Sequence, residues 1–197
     1  MNFTKKEKID LSFAGFMISL AFAILLSGGI EKLLRSNSVL IVAFLLAFLT
    51  AGIGFLLHEM MHKYVAQRYG LKAEFHAFYG MLWVALLFSL FGFIIAAPGA
   101  VMIHGRINNE KNGKIALAGP LTNIFLALIF LILIFIVKNE FLSLLLKTGL
   151  TINSLLAVFN MIPTAPFDGG KVFAWNKKIY LIITIISISL FIISFFL

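Results

Sequence analysis

The sequence predicts an all-α polytopic membrane protein. About five transmembrane helices are expected, six as the alternative, with one re-entrant apolar segment and room for a short β hairpin. Three observations predict this. Of 197 residues, 61% are hydrophobic, against roughly 45–50% in soluble domains. Several apolar runs reach the ~20 residues that a helix needs to cross a bilayer. The charged residues, only 12% of the chain, fall mostly between those runs. The length suits a single integral membrane domain over residues 1–197.

The net charge of +8 would suggest nucleic acid in a soluble protein. Here Lys and Arg flank apolar runs, so membrane orientation and anionic headgroups account for them, and no nucleic-acid partner is expected. The chain has no Cys, which excludes disulfides, thiolate ligands and a Cys nucleophile.

Residues 1–10 form a polar head carrying Lys5, Lys6, Glu7 and Lys8. The first span runs from Ile9 to about Ile30. A basic head before an apolar run resembles a secretory leader. However, this run is long and Ser27-Gly28-Gly29-Ile30-Glu31 is a poor cleavage site, so an uncleaved helix is expected. Glu31 to Ser38 reads as a charged loop.

The second span starts near Val39 and extends toward Tyr69, with Gly70 as its stop. Some 30 residues would measure about 45 Å, longer than the ~30 Å hydrocarbon core. Its end, with Lys63, Tyr64, Arg68 and Tyr69, should project into the interface. Gly52 and Gly54 suit close helix contact or a lipid-facing surface equally.

Residues 81–98 are apolar and long enough to cross. If they cross, the sixteen Lys and Arg divide evenly between the two sides. If they enter and leave on one side, only Lys32, Arg35, Lys138 and Lys147 fall on the far side, a clear positive-inside bias. A re-entrant hairpin, helical or β, turning near Gly92 is therefore expected. Its backbone must be covered by protein or line a wet cavity. Ala100–His104 suits a short strand, and Asn108–Gly113 a turn.

The third span runs from Lys114 to Lys138, with Ala118-Gly119-Pro120-Leu121-Thr122-Asn123 near its start, where Pro is tolerated. Asn123 at that depth needs a partner on another helix or around the active site. The fourth span covers about Phe141–Phe159. Pro163, Pro166, Gly169 and Gly170 then break the helix and expose backbone groups suited to an extended chain. Lys177 and Lys178 precede a final span to Leu197.

Chemistry concentrates at His58-Glu59-Met60-Met61-His62. This H-E-x-x-H pattern is a zinc-protease signature, though its three fixed positions also arise by chance. Helical spacing puts His58 and His62 on one face, with Glu59 beside them. Of eight acidic residues, Glu7, Asp10, Glu31, Glu74, Glu110 and Glu140 read as loop or interfacial charges. Glu59 and Asp168 adjoin long apolar runs, where an ionisable group has function as its default reading. Asp168 is thus the natural third ligand. Two His and one carboxylate leave zinc an open position for water, and Glu59 is placed to take a proton from that water and pass it to the leaving amine. His76 and His104 lack partners at helical spacing and read as interfacial.

Together, His58-Glu59-x-x-His62, Gly119-Pro120-x-x-Asn123 and Asn160…Pro163…Asp168-Gly169 resemble the site-2 protease family of intramembrane zinc metalloproteases. The resemblance implies cleavage of transmembrane segments of substrate proteins. It implies one zinc ion per chain on His58, His62 and Asp168, with Glu59 as base. Asn160 would position substrate or steady the oxyanion, and Asn123 is a second candidate for substrate binding. It also implies a multi-pass cell-membrane protein whose active site lies nearer the Lys/Arg-rich, cytoplasmic side. Many relatives carry a PDZ or CBS module; none fits here, which leaves substrate choice open.

Competing readings are a catalytically silent binding or scaffold protein and a metal-ion transporter using the same His/Asp cluster. Retention of Glu59 argues against the first. A histidine-box oxidase needs more than four His. No G-x-S-x-G elbow supports a serine protease, and Asp168 has no second Asp to form an aspartyl pair.

Overall fold

The computed structural model describes residues 1–29, 37–94 and 97–197. The charged loop expected over 31–38 lies, up to residue 36, outside the described residues. Among those described, four helices are long and apolar enough to cross a membrane: Lys5–Leu26, Val39–Arg68, Asn109–Ile134 and Glu140–Asn160. They match the first four expected spans. Where the fifth span is expected, the helix Lys177–Ile193 has 17 residues and is not among these four.

The described residues form two compact units, Met1–Leu56 with Glu74–Met102 and Leu57–Ala73 with Ile103–Leu197. The first unit holds α1 (Lys5–Leu26), α2 (Asn37–Ala47) and a π-helical turn, Phe48–Gly52. α1 begins earlier than expected because Thr4 caps it, its side chain accepting from the Glu7 N–H at 3.1 Å. The Thr4-x-x-Glu7 spacing is that of a capping box. The π turn packs on α1: a Cβ at Gly52 would overlap Oγ of Ser19, itself bonded to the Gly15 carbonyl. Gly52 is therefore a close-contact glycine.

α4 follows (Tyr79–Leu90), and α3 (Ile53–Arg68) lies before it in the chain. At 1.5 Å per residue the 12 residues of α4 measure about 18 Å, short of the ~30 Å core. The chain then turns at Phe91–Gly92. Two strands, β1 (Lys72–Ala77) and β2 (Gly99–His104), pair in one small sheet. β2 occupies the position expected for a strand, whereas β1 has no counterpart in the sequence reading.

Glu7 and Asp10 depart from their reading as interfacial charges. Both are buried. Glu7 accepts from the Phe75 N–H at 3.0 Å, and Asp10 from the Ala77 N–H at 3.2 Å and the Tyr79 hydroxyl at 2.5 Å. Phe75 and Ala77 are two apart, so their N–H groups leave β1 on one side. The first turns of α1 thus supply that strand edge with carboxylate acceptors. Asp10→Leu should lower stability by about 1–3 kcal/mol, the cost of leaving such donors unmet. Thermal unfolding of the protein in detergent checks this; an unchanged midpoint would mean water replaces the carboxylate.

The second unit packs α5 (Asn109–Ile134) against α6 (Glu140–Asn160), α7 (Asp168–Trp175) and α8 (Lys177–Ile193). Its core joins Ala116, Ile124 and Ala127 of α5 to Leu150 and Ala157 of α6, Val172 of α7 and Ile183 of α8. The turn expected at 108–113 is instead the helix start: Asn108 accepts from the Lys111 N–H at 2.8 Å and caps α5. Pro120 therefore lies inside α5 and not in its first turn, correcting the sequence reading. Having no N–H, it leaves the Ala116 carbonyl without its ladder partner.

Candidate metal centre

His58 and His62 stand one turn apart on α3, their rings 4.6 Å between centroids. Asp168 opens α7. It arrives there because α6 ends at Asn160 and the link carries Pro163 and Pro166. Gly169 then lets the first turn of α7 close on the end of α6, since a Cβ there would overlap the Met161 carbonyl. Oδ2 of Asp168 comes to 3.3 Å from Nε2 of His58 and 2.9 Å from Nε2 of His62. All three side chains are buried.

The other Asp168 oxygen, Oδ1, accepts from Nζ of Lys171 at 3.2 Å. Burial alone would raise the Asp168 carboxyl, but the imidazoles of His62 and His58 outweigh it and hold it well below the usual carboxylate range.

The outer nitrogens of both imidazoles are occupied. Nδ1 of His62 lies 2.8 Å from the Ile115 carbonyl oxygen, an acceptor only, so Nδ1 donates and Nε2 is the nitrogen left for a metal. Nδ1 of His58 lies 2.6 Å from Oδ1 of Asn123. Hydrogen bonds of this kind orient ligand histidines.

Gly119 faces the same point. A Cβ built there would stand 2.5 Å from Nε2 of His58 and would overlap Nε2 of His62. One turn of α5 thus gives space at Gly119, an opened ladder at Pro120 and a buried amide at Asn123. Glu59, also buried, lies within electrostatic reach of His58, Asp168 and Lys171. Its carboxylate takes no hydrogen bond from another described residue.

The structure thus brings His58, His62 and Asp168 together, with Glu59 beside them. Asn123 is wholly buried, with its oxygen on His58 and its nitrogen on Asn153, partners on two other helices. Asn160 is half-buried at the end of α6, its amide nitrogen donating to the Leu156 carbonyl at 2.9 Å. Its amide oxygen has no hydrogen-bond partner among the described residues. His76 on β1 and His104 on β2 stay outside the metal cluster. Sequence reasoning passed over Asn153 and Lys171. An Asn within an apolar run was the available signal for Asn153.

Zinc fits this donor set. Two imidazole nitrogens and a carboxylate oxygen lie within 4.8 Å of one another. Ligands bound tetrahedrally at about 2.0–2.1 Å stand about 3.3 Å apart, close to the contacts between Asp168 and the two rings. Three protein ligands leave the fourth position open, the pattern of catalytic zinc. Fold and site together define a helical membrane protein with a buried His/His/Asp cluster that could hold a metal ion.

The chain is 41% identical over 186 residues to "Putative zinc metalloprotease MJ0611" of Methanocaldococcus jannaschii, covering 92% of this chain and 90% of that protein. It is 29% identical over 146 residues to "Zinc metalloprotease MJ0392" of the same organism. It is 32% identical over 130 residues to "Putative zinc metalloprotease Rip3" of Mycobacterium tuberculosis. These alignments cover 71% and 62% of this chain but only 35% and 29% of the two longer relatives. No family profile and no solved structure matches the chain. The chain belongs to the site-2 protease family of zinc metalloproteases.

Proposed function

We propose that the protein hydrolyses peptide bonds within or near transmembrane segments of membrane proteins, at the centre formed by His58, His62 and Asp168. The observation that carries this is the convergence of three buried donors, two of them on a helix of membrane-spanning length and composition. Zinc held there supplies a Lewis acid that polarises a carbonyl and brings the pKa of a water toward about 7. His58, His62 and Asp168 hold the ion, one per chain. Glu59 takes a proton on its carboxylate and returns it to the departing amine. Its lack of hydrogen bonds to other described residues leaves both oxygens available for this. The half-buried Asn160, at the broken end of α6, is placed to hold substrate backbone through its amide.

The topology we propose keeps α4 re-entrant. His62 and Asp168 meet, so an even number of crossings separates them. α5 and α6 supply two, and a third through α4 would put the ligands on opposite faces. The centre then lies toward the Lys/Arg-rich, cytoplasmic side of the cell membrane.

The test is cleavage of a transmembrane reporter by purified protein in lipid, with and without a zinc chelator, followed by zinc re-addition. Chelation should remove activity, and one zinc per chain should restore it. Cleavage indifferent to the chelator would sink the reading. Metal transport without cleavage would favour the transporter.

A further inference from the structure

A line of buried amides runs from His58 to the backbone of α6. Nδ1 of His58 is 2.6 Å from Oδ1 of Asn123, and Nδ2 of Asn123 is 3.1 Å from Oδ1 of Asn153. Nδ2 of Asn153 is 3.0 Å from the Gly149 carbonyl oxygen. Both asparagines are fully buried.

The far end of this line fixes the direction of every bond in it. A backbone carbonyl only accepts, so Asn153 must turn its nitrogen to Gly149 and its oxygen to Asn123. Asn123 then donates to Asn153, which leaves its own oxygen for His58. An amide oxygen also only accepts, so Nδ1 of His58 must carry a proton. Nε2 is then the ring nitrogen left to face Asp168 and a metal. Were any amide in the line reversed, two like groups would face each other at hydrogen-bonding distance.

We infer that Asn153, acting through Asn123, is a positioning residue that fixes the His58 ring with Nδ1 donating and Nε2 turned to the metal position. This rests on His58 serving as a metal ligand, as the proposed function requires. His62 is held the same way by a different route, through the Ile115 backbone carbonyl, which no side-chain substitution removes. The two ligands therefore differ in a way that can be tested. His58 depends on two remote side chains, and His62 does not.

The experiment is nitrogen NMR of ring-labelled histidine in the zinc-loaded, full-length protein in lipid, with zinc affinity measured in parallel. In the unmodified protein both ligand histidines should show a hydrogen-bonded Nδ1–H and a metal-bound Nε2. Asn123→Leu and Asn153→Leu should each shift the Nδ1 signal of His58 while His62 is unmoved. Zinc affinity should fall on the order of 10-fold in either variant, within the range for outer partners of ligand histidines. Should Asn153→Leu fail to fold, Asn153→Ala removes the same bonds with less bulk.

If Asn123→Leu shifts His58 but the Asn153 variant does not, the far end of the line is inert and the inference fails. It also fails if the Asn153 variant only lowers the unfolding midpoint, as a packing role would. The Nδ1 signal and the affinity are both read without substrate. Loss of the hydrolase reading with these results intact would leave the relay standing.

Discussion

Glu59→Gln is expected to keep its zinc and to lose peptide hydrolysis by about 10²–10⁴-fold, the range over which a positioned general base acts. The exchange is nearly isosteric at a buried position beside His58. No hydrogen bond to another described residue is lost, so the fold has little reason to respond. His58, His62 and Asp168 are untouched, so zinc content and affinity should match the unmodified protein. What disappears is the carboxylate that receives and returns a proton. Metal content with single-turnover cleavage in lipid measures both quantities. Cleavage within severalfold of the unmodified rate would remove Glu59 from its assigned role. Loss of zinc would instead make the residue part of the metal's support.

Gly119→Ala should do the reverse, lowering zinc affinity by more than about 100-fold, beyond the range for loss of a supporting hydrogen bond. The added methyl would stand 2.5 Å from Nε2 of His58, 2.6 Å from Cε1 of that ring, and into Nε2 of His62. Zinc binds such nitrogens at about 2.0–2.1 Å, so the methyl and the ion compete for one space. Ala is otherwise the better helix former, by about 1 kcal/mol relative to Gly, so α5 should keep its helicity. Circular dichroism together with zinc titration checks this. An Ala variant with unimpaired zinc binding would show that both imidazoles can rotate clear, and that the ion does not sit where the donors converge.

Local features of the sequence identified the centre of the site. His58 and His62 are one turn apart, a spacing that any helix converts into a shared face. Asp168 was identified because an acid beside an apolar run is rare. The partners that hold these groups could not be read in the same way. Asn123 lies 65 positions from His58, Ile115 lies 53 from His62, and Asn153 lies 30 from Asn123. No periodicity along a chain encodes such pairings. Glu7 and Asp10 were misread for the same reason. Their acceptor role exists only once β1 lies beside α1, and the polar–apolar alternation of Lys72–Ala77, which signals that strand, was passed over. Pro120 was misplaced by a helix start. An Asn that looked like a turn residue proved to be a cap, and this moved the proline from the first turn to the interior of α5.

The order of the ligands along the chain also bears on how the protein is made. A ribosome delivers His58, Glu59 and His62 early, and both crossings α5 and α6 must follow before Asp168 emerges. Until then the nascent chain has two imidazoles and a carboxylate but no third donor, and the His/His/Asp cluster is incomplete.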